Sequence, residues 1–271
     1  MNKKIRLDIF LFSNGYVDSR HKAQRIILAG KVKDKNGKIL DKPGQEISAA
    51  SQVTISAAPK FVSRGGEKLI EAFNQFSLNV KDRICLDAGI STGGFTDCLL
   101  QNGAKKIYGI DVGYGQTSWK IRNNSKVKLF ERTNIRYLKA EDMISKKDLL
   151  PDFVVADLSF ISLKLVLRPI EDLLNKKFFE GVFLIKPQFE IGKEFISKGG
   201  VVRSPKYHLL ALKSVLREIK SLNWKINGLI ASPLVGPAGN HEYLLWFSNK
   251  QLKEFAATDK SLNKLVKQTL T

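Results

Sequence analysis

The sequence predicts an α/β protein: an open, mostly parallel sheet with helices on both faces, preceded by a small basic α+β segment. Three observations carry this. Short apolar runs (Ile84-Cys85-Leu86, Phe153-Val154-Val155-Ala156 and Val182-Phe183-Leu184-Ile185) have the unbroken hydrophobicity of strands buried on both faces. Amphipathic stretches with helical spacing separate them, which is the alternation of a doubly wound sheet. The first 62 residues differ, with 12 Lys and Arg against 5 Asp and Glu, a net of 12 − 5 = +7.

In the basic segment, Leu7, Phe10 and Leu11 recur at helical spacing and Asn14-Gly15 ends that helix. Ser19 is the N-cap of a second helix bearing Ala23, Ile26 and Ile27, closed by Gly30. A ribbon follows: Val32, a turn at Lys35-Asn36-Gly37, Ile39, then a Pro43-Gly44 turn before Val53 and Ile55. Beyond Lys60 the pattern predicts helices over 66–76, 93–101, 163–177 and 204–221. It predicts strands over 84–88, 106–112, 126–131, 153–158, 181–187, 225–233 and 242–248. Residues 1–58 thus form one domain, 59–63 a linker stiffened by Pro59, and 64–250 a second domain. The basic tail 251–271 reads as either a helix or a frayed end.

Composition narrows the function. The 271 residues carry 45 Lys and Arg against 26 Asp and Glu, a formal charge of +19, so a polyanion such as nucleic acid is the first partner to consider. A merely solubilising surface is the plainer alternative. No apolar run approaches the roughly 18 residues of a spanning helix, and no signal peptide is readable after Met1-Asn2-Lys3-Lys4. Cys85 and Cys98 lie in apolar stretches and read as buried thiols. His21, His208 and His241 are scattered, so no metal site is expected. A cytoplasmic protein without membrane attachment is the expectation.

The sharpest motif is Leu86-Asp87-Ala88-Gly89-Ile90-Ser91-Thr92-Gly93-Gly94-Phe95, a strand running into a glycine-rich turn and a helix. Glycines admit a ligand close to the backbone, and a helix start offers unpaired N–H groups. The spacing is not the G-x-G-x-x-G of a dinucleotide site, and Asp87 would repel a pyrophosphate while suiting a cationic amino-acid headgroup. Asp111 ends the next strand, where a carboxylate binds both hydroxyls of a ribose. Together these favour S-adenosyl-L-methionine over NAD. The cofactor contacts expected are Asp87, Gly89, Ser91, Thr92, Gly93, Gly94, Phe95, Asp111, Asn134 and Asp157, with Asn134 at the adenine edge. Taken alone, such a loop is also what any tight strand-to-helix turn looks like.

Two resemblances add to this reading. Arg6-Leu7-Asp8, Gly15, Ser19-Arg20, Ala23, Ile27 and Gly30-Lys31-Val32 resemble the S4 RNA-binding module, with a slightly longer hairpin at 33–37. That implies binding of structured RNA through a basic helix face, and with Arg64 the candidate RNA contacts are Arg6, Arg20, Lys22, Arg25 and Lys31. Asp8 is read as structural, pairing with a base such as Arg6. Ser63-Arg64-Gly65-Gly66-Glu67-Lys68-Leu69, Asp157-Leu158-Ser159, Ile185-Lys186-Pro187 and Gly239-Asn240-His241-Glu242-Tyr243 resemble the Lys-Asp-Lys-Glu pattern of FtsJ-like ribose 2′-O-methyltransferases. With the S4 module in front, the chain resembles the TlyA family of rRNA methyltransferases, some of whose members are labelled haemolysins.

The resemblance implies a Rossmann-like S-adenosylmethionine-dependent methyltransferase sheet, rRNA or ribosomal subunits as partner, and Lys68, Asp157, Lys186 and Glu242 as the catalytic set. Lys186 is assigned the activation of the target hydroxyl, with Asp157 and Glu242 holding it and Lys68 contacting the substrate. Considered singly, Lys68 reads as a surface lysine, Asp157 as a helix cap, and Glu242 as a surface partner of His241 or Arg203. Lys186 is least easily dismissed, because a lysine ending an apolar strand needs a reason. Four such coincidences at once are improbable. The alternatives are an S4 protein with a silent methyltransferase fold and a membrane-active haemolysin, and the latter lacks any strongly amphipathic apolar segment. The stretch 189–203 is read as either a lid or a plain loop.

Overall fold

The structure, a computed structural model, describes residues 4–56, 59–145 and 148–271. The chain divides into two compact units, Met1–Pro59 and Lys60–Thr271.

The first unit comprises β1 (Lys4–Arg6), α1 (Leu7–Ser13), α2 (Arg20–Leu28), β2 (Val32–Asp34), β3 (Glu46–Ser48) and β4 (Val53–Ile55). Leu7, Phe10, Leu11, Ala23, Ile27, Val32 and Val53 form its core. Ser19 caps α2 by accepting a hydrogen bond from Lys22 N at 3.2 Å, and Gly30 leaves that helix at φ +66°. The ribbon differs from expectation. The Asn36-Gly37 turn leads only to a single bridge, Lys33–Ile39, while β2 pairs antiparallel with β4 and β1 with β3. Burial decides the pairing: Val53 is 6% exposed and Ile39 is 52% exposed, so the strand that covers the helices is the distant one.

The second unit runs α3 (Gly65–Phe76), β5 (Ile84–Ala88), α4 (Gly94–Gln101), β6 (Lys106–Ile110), α5 (Trp119–Arg122), β7 (Val127–Phe130), α6 (Ala140–Met143) and β8 (Phe153–Ala156). It continues with α7 (Leu167–Asp172), β9 (Glu180–Ile185), α8 (Pro187–Glu190), α9 (Pro205–Ser221), β10 (Lys225–Ala231), β11 (Tyr243–Ser248) and α10 (Asp259–Leu270). The seven strands lie in the order β10-β11-β9-β8-β5-β6-β7. Strands β5 to β9 are parallel, and β11 is inserted antiparallel between β9 and β10. One apolar layer holds Leu69, Phe73, Phe95 and Leu99 of α3 and α4. The other holds Leu167, Leu212, Val215 and Leu262 of α7, α9 and α10.

Three expectations change here. The helix expected over 163–177 is a 3-10 turn, Leu163–Leu165, followed by the short α7. Leu163, Val166, Leu167, Ile170, Leu173 and Leu174 are all buried, so the apolar spacing is real. Pro169 nevertheless lacks a backbone donor, and Asn175 N leaves to bond Pro151 O at 2.8 Å. Of the two readings of the tail 251–271 the helix holds, from Asp259 to Leu270, but the segment is not separate: Thr258 and Ser261 form a capping box on α10, whose Leu262 and Val266 are buried in the unit's core. Finally, residues 60–63 belong to the second unit rather than to a free connector. Phe61 is 3% exposed, Val62 N donates to Asp97 at 2.9 Å, and a Cβ on Gly66 would lie 2.2 Å from the Phe61 ring.

Candidate active site

Chain order reverses between β5 and β8, and a doubly wound sheet opens a crevice at such a point, outside the strand carboxyl ends. Gly89 and Asp157 stand there as the residues next after β5 and β8. Gly89 has φ +83°, and a Cβ on it would lie 2.9 Å from Asp157 O, so only glycine fits. A cavity of about 570 Å³ opens beside them, lined by Gly89, Ser91, Asp111, Asn134, Asp157 and the Leu158–Ile161 stretch among others. A smaller recess of about 70 Å³ adjoins it through Gly89, Ser91 and Asp157, and is walled by Ser63, Thr92, Gly94 and Phe95.

Asp111 is oriented by backbone donors: Oδ2 accepts from Ser91 N and Oδ1 from Gly113 N, both at 2.7 Å. Each oxygen keeps a lone pair for a diol at the cavity wall. Asn134 lines the same cavity, with Oδ1 accepting from Arg136 N at 3.1 Å. Phe95 is 3% exposed and mainly core. Two glycines serve packing. A Cβ on Gly94 would lie 2.1 Å from Ser63 Oγ, and Gly93, with φ +96°, would strike Ile121 at 2.9 Å. Gly93 lines neither cavity and shapes the turn into α4.

Asp87 also differs from expectation. It lies wholly buried beneath the loop and is absent from both cavity walls. Oδ2 accepts from Thr96 Oγ1 at 2.6 Å while Oδ1 has no partner. Burial pushes its carboxyl up to about 7. An orphaned buried oxygen below a crevice is what a site for a cationic ligand supplies. The glycine cradle, the Asp111 carboxylate and this oxygen together fit S-adenosylmethionine.

The four catalytic candidates converge at this edge. Lys186 Nζ is 2.7 Å from Asp157 Oδ1 and donates to Ser159 Oγ at 2.8 Å. Lys68, from the first turns of α3, meets Glu242 Oε2 at 2.5 Å, with the two side chains 7% and 1% exposed. Burial raises the Glu242 carboxyl, with Lys68, then Lys186, opposing the shift. Glu242 immediately precedes β11, yet it reaches the carboxyl edge because β11 runs backwards: Tyr243 pairs with Ile185, so Glu242 stands across from Lys186. The pairing corrects the expected division of labour. Glu242 is held by Lys68, and Lys186 by Asp157 and Ser159. A surface role for Lys68 or Glu242 is excluded by their burial.

The candidate RNA contacts are less free than their charges suggest. Arg6 and Arg20 both bond Asp8, at 3.0 and 3.3 Å, and Gln24 joins them at 3.0 Å. The Arg6 bonds hold the Asp8 carboxyl well below its usual range. Lys22 pairs with Asp18 at 2.9 Å, Arg25 is exposed and Lys31 half-buried. Arg64 is exposed and donates to Val235 O. The stretch 189–203 is tied near its far end, where Asn240 Oδ1 accepts from Val202 N at 2.9 Å and His208 Nε2 bonds Val202 O at 2.9 Å. Sequence reasoning missed Thr96 as the partner of Asp87 and Ser159 as a partner of Lys186. Thr96 lies in the first turn of α4, nine residues after Asp87, and Ser159 two residues after Asp157.

Comparison with known proteins bears on all of this. Residues 61–249 match the FtsJ-like methyltransferase family, and residues 5–53 match the S4 domain. Fold and site thus define an RNA methyltransferase that takes its methyl group from S-adenosylmethionine. The chain is 41% identical over 259 residues to the 16S/23S rRNA (cytidine-2′-O)-methyltransferase TlyA of Mycobacterium tuberculosis, covering 95% of this chain and 94% of that one. It is 41% identical to Hemolysin A of Brachyspira hyodysenteriae over 90% of this chain and 99% of the relative. A solved structure of a candidate hemolysin from Streptococcus thermophilus superposes with a TM-score of 0.73 at 37% identity, covering 99% of this chain and 96% of the other. The chain belongs to the TlyA family. The name hemolysin is that of certain relatives; among the described residues no helix is long and apolar enough to cross a membrane.

Proposed function

We propose that this protein methylates the 2′-hydroxyl of a cytidine ribose in ribosomal RNA, in the 16S molecule, the 23S molecule or both, and that it works in the cytoplasm on ribosomal subunits. The observation that carries the reading is the convergence of two lysine–carboxylate pairs, Lys186–Asp157 and Lys68–Glu242, at the carboxyl edge of the sheet, where Asp157 also lines a cavity of about 570 Å³. The names of the relatives support the target chemistry, and the S4 domain supports the partner.

When bound, the donor supplies an activated methyl group on a sulfonium. Asp111 holds its ribose, Asn134 its adenine edge, and the Gly89–Ser91 turn its chain. A ribose hydroxyl is a weak nucleophile, so placement comes first and charge stabilisation second. Lys186 Nζ, steadied by Asp157 and Ser159, donates to the hydroxyl oxygen and offsets the negative charge that grows there as its proton passes to solvent water and the oxygen takes the methyl group. The buried Lys68–Glu242 pair stands next to it, on the neighbouring strand at the same edge of the sheet. An unpaired charge there would be costly, so the pair is kept as a unit.

The test is transfer of tritiated methyl from S-adenosylmethionine to purified 30S and 50S subunits, followed by mapping of the label. Label on a ribose oxygen of one or both RNAs is the expected result. Tight S-adenosylmethionine binding with no label on any subunit or free rRNA would overturn the reading in favour of a silent RNA-binding protein. RNA affinity should fall steeply with salt, since phosphate contacts release counterions.

A further inference from the structure

Glu190 is a buried carboxylate that the chemistry above does not use. It is 7% exposed, at the end of the four-residue α8 that follows Lys186. Burying a carboxylate is costly unless its oxygens are satisfied. Oε2 accepts from Ser162 Oγ at 2.6 Å and Oε1 from Leu163 N at 2.8 Å. Burial pushes its carboxyl up against the pull of these two donors. Ser162 already caps its own turn by accepting from Lys164 N. A second, charged and buried cap is more than that turn requires.

What the extra tie does follows from where the two segments lead. Residues 157–163 leave β8 with Asp157 and Ser159, and residues 186–190 leave β9 with Lys186. The Lys186–Asp157 and Lys186–Ser159 contacts join the near ends of these segments. Glu190 joins their far ends, closing a loop between two strands. Inside it, Leu158 to Ile161 wall the large cavity, and Phe160 sits at φ +64°, a conformation that relaxes unless its surroundings hold it. We propose that Glu190 is a positioning residue: its two hydrogen bonds clamp the 157–163 segment, so that the donor cavity keeps its wall and Lys186 keeps its aim. This rests on the reading of Lys186 as the group that faces the hydroxyl.

Three full-length variants test it: Glu190→Ala, Glu190→Gln and Ser162→Ala. Affinity for S-adenosylmethionine alone is measured by calorimetry, and kcat and KM are measured for methyl transfer to the RNA substrate. Glu190→Ala should weaken donor binding roughly tenfold and lower kcat roughly 10- to 100-fold with little change in the KM for RNA. Glu190→Gln, which keeps an acceptor for Leu163 N and a polar partner for Ser162, should stay within about threefold of the parent. Ser162→Ala, which leaves one of the two bonds, should fall between them, and it serves if Glu190→Ala does not fold. A folded Glu190→Ala with unchanged donor affinity and kcat overturns the proposal, as does a Gln variant as impaired as the Ala variant. Donor binding needs no RNA, so a mistaken RNA target would show as normal binding without transfer, and the affinity series would still decide the role of Glu190.

Discussion

The seven-stranded sheet carries an ionic cluster at each edge, and the two are built to opposite ends. At the amino edge, Arg83 bonds Asp152 at 3.2 Å and also Glu180, whose other oxygen accepts from Trp246 Nε1 at 2.9 Å. The guanidinium lies 5.0 Å from the Phe153 ring centroid and 5.5 Å from that of Phe178. No buried side-chain oxygen or nitrogen of this network lacks a partner among the described residues. At the carboxyl edge, Asp87 Oδ1 and Gln188 Oε1 have none, and Asp157 Oδ1 has only the ionic contact of Lys186 at 2.7 Å, without a hydrogen bond, and two cavities open there. A network that completes itself holds strands together. One that stops short is waiting for a ligand.

The contrast is open to direct attack. Lys186→Ala should reduce methyl transfer about 100- to 1,000-fold, the usual loss when one donor to a developing oxyanion is removed. Stability should change by no more than about 1–2 kcal/mol, since Asp157, which loses its lysine, keeps 24% of its side chain exposed to water. Single-turnover kinetics beside a thermal melt would check this; activity and stability lost in step would erase the difference between the edges.

Arg83→Ala should do the reverse. It leaves Glu180, with 11% side-chain exposure, as an uncompensated buried charge, a change that costs about 3–5 kcal/mol. Donor affinity in the folded fraction should remain that of the parent. Urea unfolding and calorimetry separate the two outcomes.

Phe61→Ala probes a smaller effect at the start of the second unit. Phe61 lies under Gly66 in the apolar layer of α3 and α4, so its truncation should cost about 3 kcal/mol of stability by cavity formation. Activity lost in this variant would therefore report on folding first, and a stability curve must accompany any assay of it.

How much of this was legible in the sequence depends on how local each signal is. The turn at Asp87-Ala88-Gly89 declares itself, because a hydrophobic strand, a glycine and a helix start follow one another directly. Lys186 declares itself too, since a lysine after Val182-Phe183-Leu184-Ile185 has no apolar reason to be there. Glu242 does not. Its place is set by the reversed direction of β11, a register between strands some 60 residues apart in the chain, and nothing around His241-Glu242-Tyr243 encodes that. Only the resemblance to a family carried it. The same limit hid the β2–β4 pairing, where a good local turn lost to a distant apolar strand. It also misplaced α7, where burial persists after the helix has ended.

The last expectation concerns Asp87, the unfinished group of the carboxyl edge. Burial holds its carboxyl up at about 7, against an ordinary value of 3.8. A folded value above the unfolded one means stability that is fully present below the ordinary value and is lost as pH rises through 7. A cationic donor acts in the opposite sense, because it favours the charged carboxylate that burial penalises. Donor binding should therefore release a proton, and affinity should rise roughly tenfold between pH 6 and pH 8 before levelling. Asp87→Asn removes the titration while keeping an oxygen for Thr96. Its donor affinity should be weaker than the parent's at pH 8 and nearly flat with pH, and calorimetry in buffers of different ionisation heat would count the proton. A pH slope that survives in the Asn variant would assign the titration to another group and leave the orphaned oxygen without a role in binding.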